Sequence, residues 1–390
     1  MPLNIERARE QMRRAGIDAL VAASASNVYY VSDYYSEGTA LGCAMQGYGL
    51  LPLDGEPALV APLSEADLVV ESRTKIRDVL YYGCLNAGIS KNSGSDVTKG
   101  IIAATREKAE RTPCESLAKV VAARGLTKKT IAVDGGISPE TWEQIKKGLP
   151  DARLVDGTKL LSIIRAVKTP EEVEAIARAT EITEKSMEDA LEIAQVGIAE
   201  LDLAQMFSYS VAEDGGRVTL TFFGAGERSA YPNPIPTTYQ LAKGDLMRMR
   251  LGSTVSHYNG IVSRTAAIGQ PDAEAEKRLK TVIDAQEAAF DAVRPGAKIG
   301  EVYAAVKRAL GSHGIGECSE SVGHCTGIDC VEGPTVGPEE EALVEEGMVL
   351  SVDVPYLELG WGGIQLADTV LVTKKGLRFL TATERTLYVL

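Results

Sequence analysis

Arg165-Ala166-Val167-Lys168-Thr169-Pro170-Glu171-Glu172 is the stretch on which the reading of this chain turns. Thr169 fits an N-cap, Pro170 fits the first helical turn, and Glu172 stands where its carboxylate can close a capping box. Val173, Ile176, Ala177 and Ile182 then keep helical spacing, so a long helix opens here. The boundary falls just before it, near Asp156. The chain of 390 residues divides into residues 1–157 and residues 158–390.

Upstream, the elements alternate. Ile5 to Gly16 reads as a basic amphipathic helix with a glycine stop, and Asp18 to Ala23 as a buried strand. Asn27-Val28-Tyr29-Tyr30 opens an aromatic-rich strand or loop running to Tyr35. Tyr48 to Leu51, Pro57 to Val60 and Thr130 to Val133 are further strands, with helical stretches near 97–110 and 139–148. Elements of this length imply an α/β domain, a sheet covered by helices.

Downstream, a helix–glycine turn–helix unit occurs twice. Glu188 to Gln195 leads through Val196-Gly197-Ile198-Ala199-Glu200, and Ala288 to Arg294 leads through Pro295-Gly296-Ala297-Lys298-Ile299-Gly300-Glu301. Each unit is followed by β-rich sequence. Duplicated halves commonly share a site at their seam, although two such turns also arise by chance.

Short motifs follow in order: Lys243-Gly244-Asp245, Ser263-Arg264-Thr265, Val322-Gly323-His324, Glu332-Gly333-Pro334, Glu346-Gly347-Met348-Val349 and Asp368-Thr369-Val370-Leu371-Val372. With the 165–172 stretch and Asn27 to Tyr30, they resemble the creatinase/prolidase/methionine-aminopeptidase family over essentially the whole chain. The resemblance implies a creatinase-like N-terminal α/β domain followed by a pita-bread C-terminal catalytic domain, a mixed α/β (α+β) architecture. It further implies a homodimer in which the N-terminal domain closes the partner's site. The matching loop here runs from Tyr34 to Met45 and carries Glu37 and Cys43.

The family's metallopeptidases hold two metal ions with two Asp, one His and two later acids. By the resemblance, these positions fall on Arg250, Ile261, His324, Asp353 and Ala367. Three are not ligands, and one is a cation. Divalent ions need several converging donors and are repelled by an arginine aimed at their site, so neither a metal nor another cofactor is expected. Creatinase and the ectoine hydrolases cleave C–N bonds on this fold without metal. Creatinase's substrate-binding glutamates would fall on Ser263 and Leu366, and its catalytic histidine on or near Asn233, so creatine is a poor substrate guess.

The residues themselves suggest chemistry. Leu246-Met247-Arg248-Met249-Arg250-Leu251 alternates with period two, which puts Arg248 and Arg250 on one face. Guanidinium groups suit carboxylate, sulfonate or phosphate, and one could stabilise an oxyanion. In the plainer reading, Arg250 pairs with Asp353 and replaces lost metal charge. His324 is the candidate proton carrier or else a structural relic, with Asp353 as base or support. Tyr231 and Asn233 are candidate neutral hydrogen-bond contacts to substrate. His257 and Glu332 are candidate substrate contacts, with surface or packing roles as the alternative. His313, Cys318, His324, Cys325 and Cys330 are soft donors without the paired spacing of structural zinc. Cys325 beside His324 would face the opposite way on a strand, which weakens a thiolate–imidazole pair.

Composition sets the outer limits. Apolar residues make up 45% and charged residues 24%, an ordinary globular mixture. The net charge of -13 disfavours nucleic acid and anionic membranes as partners. No stretch approaches the roughly 18 apolar residues of a membrane span, the N-terminus lacks a signal-peptide core, and the cysteines form no disulfide framework. A cytoplasmic enzyme acting on a small molecule is the expectation. The sequence points to a metal-independent hydrolase of an amide- or amidine-type C–N bond in a small polar, anionic compound. Its alternatives are an Xaa-Pro metallopeptidase, an inactive pita-bread binding protein, and a lyase.

Overall fold

A computed structural model describes residues 3–43, 45–72, 74–90, 94–106, 108–316 and 319–390. They form two compact units, Met1–Arg165 and Ala166–Leu390.

Among the described residues, the first unit holds a six-stranded sheet. Its strands are β1 (Ala19–Ala22), β2 (Tyr48–Pro52), β3 (Ala58–Pro62), β4 (Asp78–Tyr82), β5 (Thr130–Val133) and β6 (Arg153–Asp156). Their order is β4-β3-β2-β1-β5-β6, and β1 pairs antiparallel with β2 but parallel with β5. Helices Pro113–Ala123 and Pro139–Gly148 supply Leu117, Val120, Val121 and Ile145 to its core.

One expectation fails here. Asn27-Val28-Tyr29-Tyr30 is not a strand but part of helix Ala25–Ser32, capped by the Ser24 side chain and ended by Asp33 at φ 65. Every residue from Asn27 to Ser32 is buried. A helix that is covered all round shows no polar stripe, so its sequence lacks the period that would reveal it.

Among the described residues, the second unit is built on a nine-stranded sheet. Its strands are β7 (Arg217–Ala225), β8 (Leu246–Val255), β9 (Tyr258–Ala267), β10 (Gly323–Cys325), β11 (Glu332–Thr335), β12 (Val349–Glu358), β13 (Gly362–Thr373), β14 (Gly376–Phe379) and β15 (Leu387–Val389). The main path is β11-β10-β12-β13-β9-β8-β7, with β14 on β13 and β15 on β9. Helices Pro170–Glu192 and Glu200–Glu213 cover one half, burying Met247, Met249 and Leu251. Helices Ala273–Ala292 and Ile299–Ser312 cover the other, burying Leu350, Val352, Val354, Ile364 and Leu366. The duplicated turns are real and equivalent. Gly197 (φ 93) donates to Leu241 O, and Gly296 (φ 89) donates to Val344 O.

The capping box at Thr169 forms as the sequence implies, with Glu172 returning to the Thr169 N–H. The helix that it starts lies hard against the sheet. A Cβ on Gly260 would stand 2.1 Å from the Thr180 backbone nitrogen, so only glycine permits that approach. Arg264 and Asp368 meet at 2.7 Å on the helix-covered face where the two halves join, and Arg264 also donates to the Ala367 and Ser263 carbonyls. This buried pair holds the backbone of the opposite face from beneath. Among the described residues, no helix is long and apolar enough to cross a membrane.

Candidate active site

The face of the sheet away from these helices is built by strand alternation. Arg250 on β8 lies opposite Ser263 on β9, Ser263 opposite Ala367 on β13, and Ala367 opposite Asp353 on β12. One row of side chains thus runs Arg250, Ser263, Ala367, Asp353. In the neighbouring row, His324 on β10 faces Ser351 on β12. The expected catalytic trio, His324, Asp353 and Arg250, therefore shares one surface.

Arg250 and Asp353 form an ion pair, with Nε 3.2 Å from Oδ2. Asp353 Oδ1 accepts from Gln365 Nε2 at 2.7 Å. His324 is buried, and its Nδ1 lies 2.9 Å from the Cys325 carbonyl oxygen. A carbonyl only accepts, so Nδ1 carries the proton of the neutral ring and Nε2 keeps its lone pair. Among the described residues, that Nε2 is buried without a hydrogen-bond partner. Burial lowers the pKa of His324 from its ordinary value, Arg250 adds to this, and Asp353 and the Cys325 carbonyl oppose it. The ring is therefore uncharged at neutral pH, with the Nε2 lone pair not engaged by the described residues.

The residues expected to bind substrate are placed differently from one another. Arg248 shares the open face but is buried, donating from Nε to Ser229 O at 2.6 Å and from its terminal nitrogens to Gln365 Oε1 and the Tyr231 carbonyl. Burial lowers its pKa to about 10, with Arg250 adding and Asp353 opposing, which leaves it charged at neutral pH. Tyr231 and Asn233 stand exposed on the segment after Ala230, with Arg228 lying 5.6 Å over the Tyr231 ring. Glu332 lies opposite Cys325 rather than His324 and pairs with Lys168 at 2.9 Å, both buried. His257 occupies the two-residue turn between β8 and β9, where Ser256 and His257 take φ 49 and 66. Five residues of strand, roughly 17 Å, separate Arg250 from that turn, so it stands apart from the trio.

Among the described residues, the soft donors form no group placed to hold a metal ion. Cys325 is fully buried, and burial pushes its thiol up to about 12, which removes the thiolate–imidazole alternative. His313 pairs with Asp284 at 3.0 Å on the surface. Cys318 and Ala44 lie outside the described residues. The sequence reading missed Gln365, Ser229 and Lys168, because each acts through a partner distant in sequence and none carries a local motif.

Among the described residues, a nine-stranded sheet with two helix pairs behind it has the architecture of the pita-bread class. The chain belongs to metallopeptidase family M24, whose model matches residues 174–374, behind a creatinase/prolidase N-terminal domain matched over residues 4–167. An Xaa-Pro dipeptidase of Pyrococcus furiosus is 29% identical over 264 residues, covering 66% of this chain and 75% of that one. The putative dipeptidase YkvY of Bacillus subtilis is 26% identical over 390 residues, with 99% of each chain covered. The crystal structure of a prolidase from Pyrococcus horikoshii OT3 superposes with a TM-score of 0.80 at 24% identity, covering 98% of this chain and 99% of that one.

These matches correct the expected function. The relatives are dipeptidases of a metallopeptidase family, so a metal-independent hydrolase of a small anionic compound is not the class they support. The donor set of this chain nevertheless departs from a five-ligand, two-metal centre. Arg250 and Ala367 stand in the row with Asp353, and Ile261 lies opposite Gly252 in the next. Among the described residues, no group of three or more His, Cys, Asp or Glu is placed to hold a metal ion. An arginine at the centre and two apolar side chains do not fit such a centre.

Proposed function

We propose that this chain cleaves the peptide C–N bond of short substrates of the Xaa-Pro class, at the open face carrying His324, Asp353 and Arg250. The observation that carries the reading is the buried, unpartnered Nε2 of His324 on the same face as Arg250 and Asp353. The dipeptidases among its relatives supply the substrate class. Nε2 would take the proton of an attacking water and return it to the leaving nitrogen. Arg250 would face the oxyanion that forms on the scissile carbonyl, with Asp353 holding the guanidinium in place. Tyr231 and Asn233 are proposed to contact the substrate from the rim.

A second reading, binding without cleavage, is favoured by the Arg250–Asp353 pair, which already neutralises both groups. The test is proline release from a panel of Xaa-Pro dipeptides, run as purified, after chelation, and with manganese or cobalt restored. Release that falls about 100-fold or more in His324→Ala supports the first reading. Calorimetric binding without release supports the second. Neither release nor binding overturns both.

A homodimer remains part of the proposal, with the Tyr34–Met45 loop closing the partner's site. Glu65 supports a fixed loop by accepting from Tyr34 and Ser36, while Leu41 is 79% exposed at its tip. Light scattering gives the oligomeric state, and Leu41→Ser reports the loop's contribution to KM.

A further inference from the structure

Gln365 links Arg248 to Asp353 by its side chain. It lies on β13, 4% exposed, with its backbone N–H donating to Thr265 Oγ1 at 3.0 Å. Its side-chain carbonyl accepts from Arg248, and its amide nitrogen donates to Asp353. The amide orientation is not arbitrary. Arginine has donors and no acceptor, so Oε1 must face Arg248 and Nε2 must face the carboxylate. Arg248 is in turn fixed by the Ser229 and Tyr231 carbonyls. Ser229 is itself held by the Gly363 N–H at 2.9 Å, and a Cβ on Gly363 would stand 2.2 Å from the Ser229 carbonyl oxygen.

We infer that Gln365 is a positioning residue for this site: oriented by buried Arg248, it takes one oxygen of Asp353 and turns the other towards Arg250. The inference rests on the reading of Asp353 and Arg250 as site groups. It assigns Arg248 the part of a hub that ties the Ser229–Tyr231 rim to the sheet floor. Asp353 then has both oxygens engaged and serves to aim the arginine, leaving proton transfer to His324. The donating end of Gln365 is not replaceable by a carboxylate, since glutamate accepts from Arg248 but cannot donate to Asp353.

The experiment has one arm that needs no turnover. Melting temperatures are measured for Arg250→Met, Asp353→Asn and the double variant, in the parent and in Gln365→Leu. In the parent, the double variant is expected to lose less than the sum of the single losses, because the two groups are coupled. In Gln365→Leu, the losses are expected to add. Should Gln365→Leu not fold, Gln365→Glu serves as the background, with the same expectation. Coupling that persists unchanged in either background overturns the inference.

The second arm uses whichever Xaa-Pro dipeptide is turned over. Gln365→Glu is expected to lower kcat about 10- to 100-fold with KM within about threefold, the mark of misplacement rather than lost binding. Parent-level kcat in Gln365→Glu overturns the inference. Failure of all dipeptides overturns the peptidase reading and leaves the melting arm to decide this one.

Discussion

Arg250 reaches Asp353 across two intervening strands: the ion pair closes at 3.2 Å although β9 and β13 lie between β8 and β12. Three strand spacings amount to about 14 Å on a flat sheet, more than the two extended side chains cover. The sheet is therefore curled around this face, and the residues beneath the bridge, Ser263 and Ala367, are small and fully buried. Ala367→Leu is expected to lift the arginine off the floor and cost about 1–3 kcal/mol of stability by overpacking. The cost should shrink when Arg250→Met is present, since methionine yields the space. Denaturant melts of the two single variants and the double check this, and strict additivity would refute the bridge.

The neutral ring of His324 makes a second, spectroscopic expectation. The chain has 3 histidines, so their side-chain nitrogen signals are separable by substitution. His324 should show a protonated Nδ1 and a bare Nε2 at neutral pH, set by the Cys325 carbonyl. Its pKa is lowered in the fold, chiefly by burial. A lowered histidine pKa means that the folded state resists protonation, so stability is lost as pH falls below the ordinary value near 6.5. His324→Gln should remove that acid-side loss. A protonated Nε2 at pH 7.5 would contradict the assignment of this nitrogen as the base.

Much of the architecture was readable from local signals, and the reasons are physical. Thr169, Pro170 and Glu172 act within one helical turn, so the sequence shows the capping box that the structure contains. Met247, Met249 and Leu251 alternate with Arg248 and Arg250, so period two shows which face is core. Helix Ala25–Ser32 was hidden because its side chains are buried on all sides. Gln365 was hidden for another reason. Its meaning comes from Arg248, 117 positions away, and from Asp353 on the neighbouring strand, pairings that only the folded register creates. The substrate class was hidden as well. Substituted ligand positions pointed away from the peptidases to which the relatives point.

Gly260 offers a test of the fold alone. Its missing side chain lets helix Pro170–Glu192 lie against β9, where a Cβ would meet the backbone of Ala179 and Thr180 at 2.4 Å or less. Backbone cannot rotate away as a side-chain tip can. Gly260→Ala should therefore cost about 3 kcal/mol, at the upper end of overpacking penalties. Gly311→Ala, where a Cβ meets nothing within 4 Å, should leave stability unchanged or raise it by a few tenths of a kcal/mol. Thermal melts of the two variants side by side distinguish a tight approach from a general intolerance of glycine replacement.

The capping box also carries a pH signature. Glu172 closes the box, accepts from the Tyr258 hydroxyl at 3.0 Å, and is buried. Burial pushes its carboxyl up to about 7, Glu332 adds to this, and Lys168, the Thr169 N–H and Tyr258 pull it down. A raised acid pKa means that the folded state prefers the protonated form. Its contribution is fully present below the unfolded value near 4.5 and is lost as pH rises through about 7. The change across that window is on the order of 3 kcal/mol. In Glu172→Gln, the amide keeps a neutral acceptor for Tyr258 or Thr169. That variant should start near or below the parent in stability at pH 4.5 and gain on it steadily towards pH 7.5. Parallel stability–pH curves for parent and variant would mean that Lys168 holds Glu172 ionised throughout, and that the buried cluster is an ion network rather than a proton store.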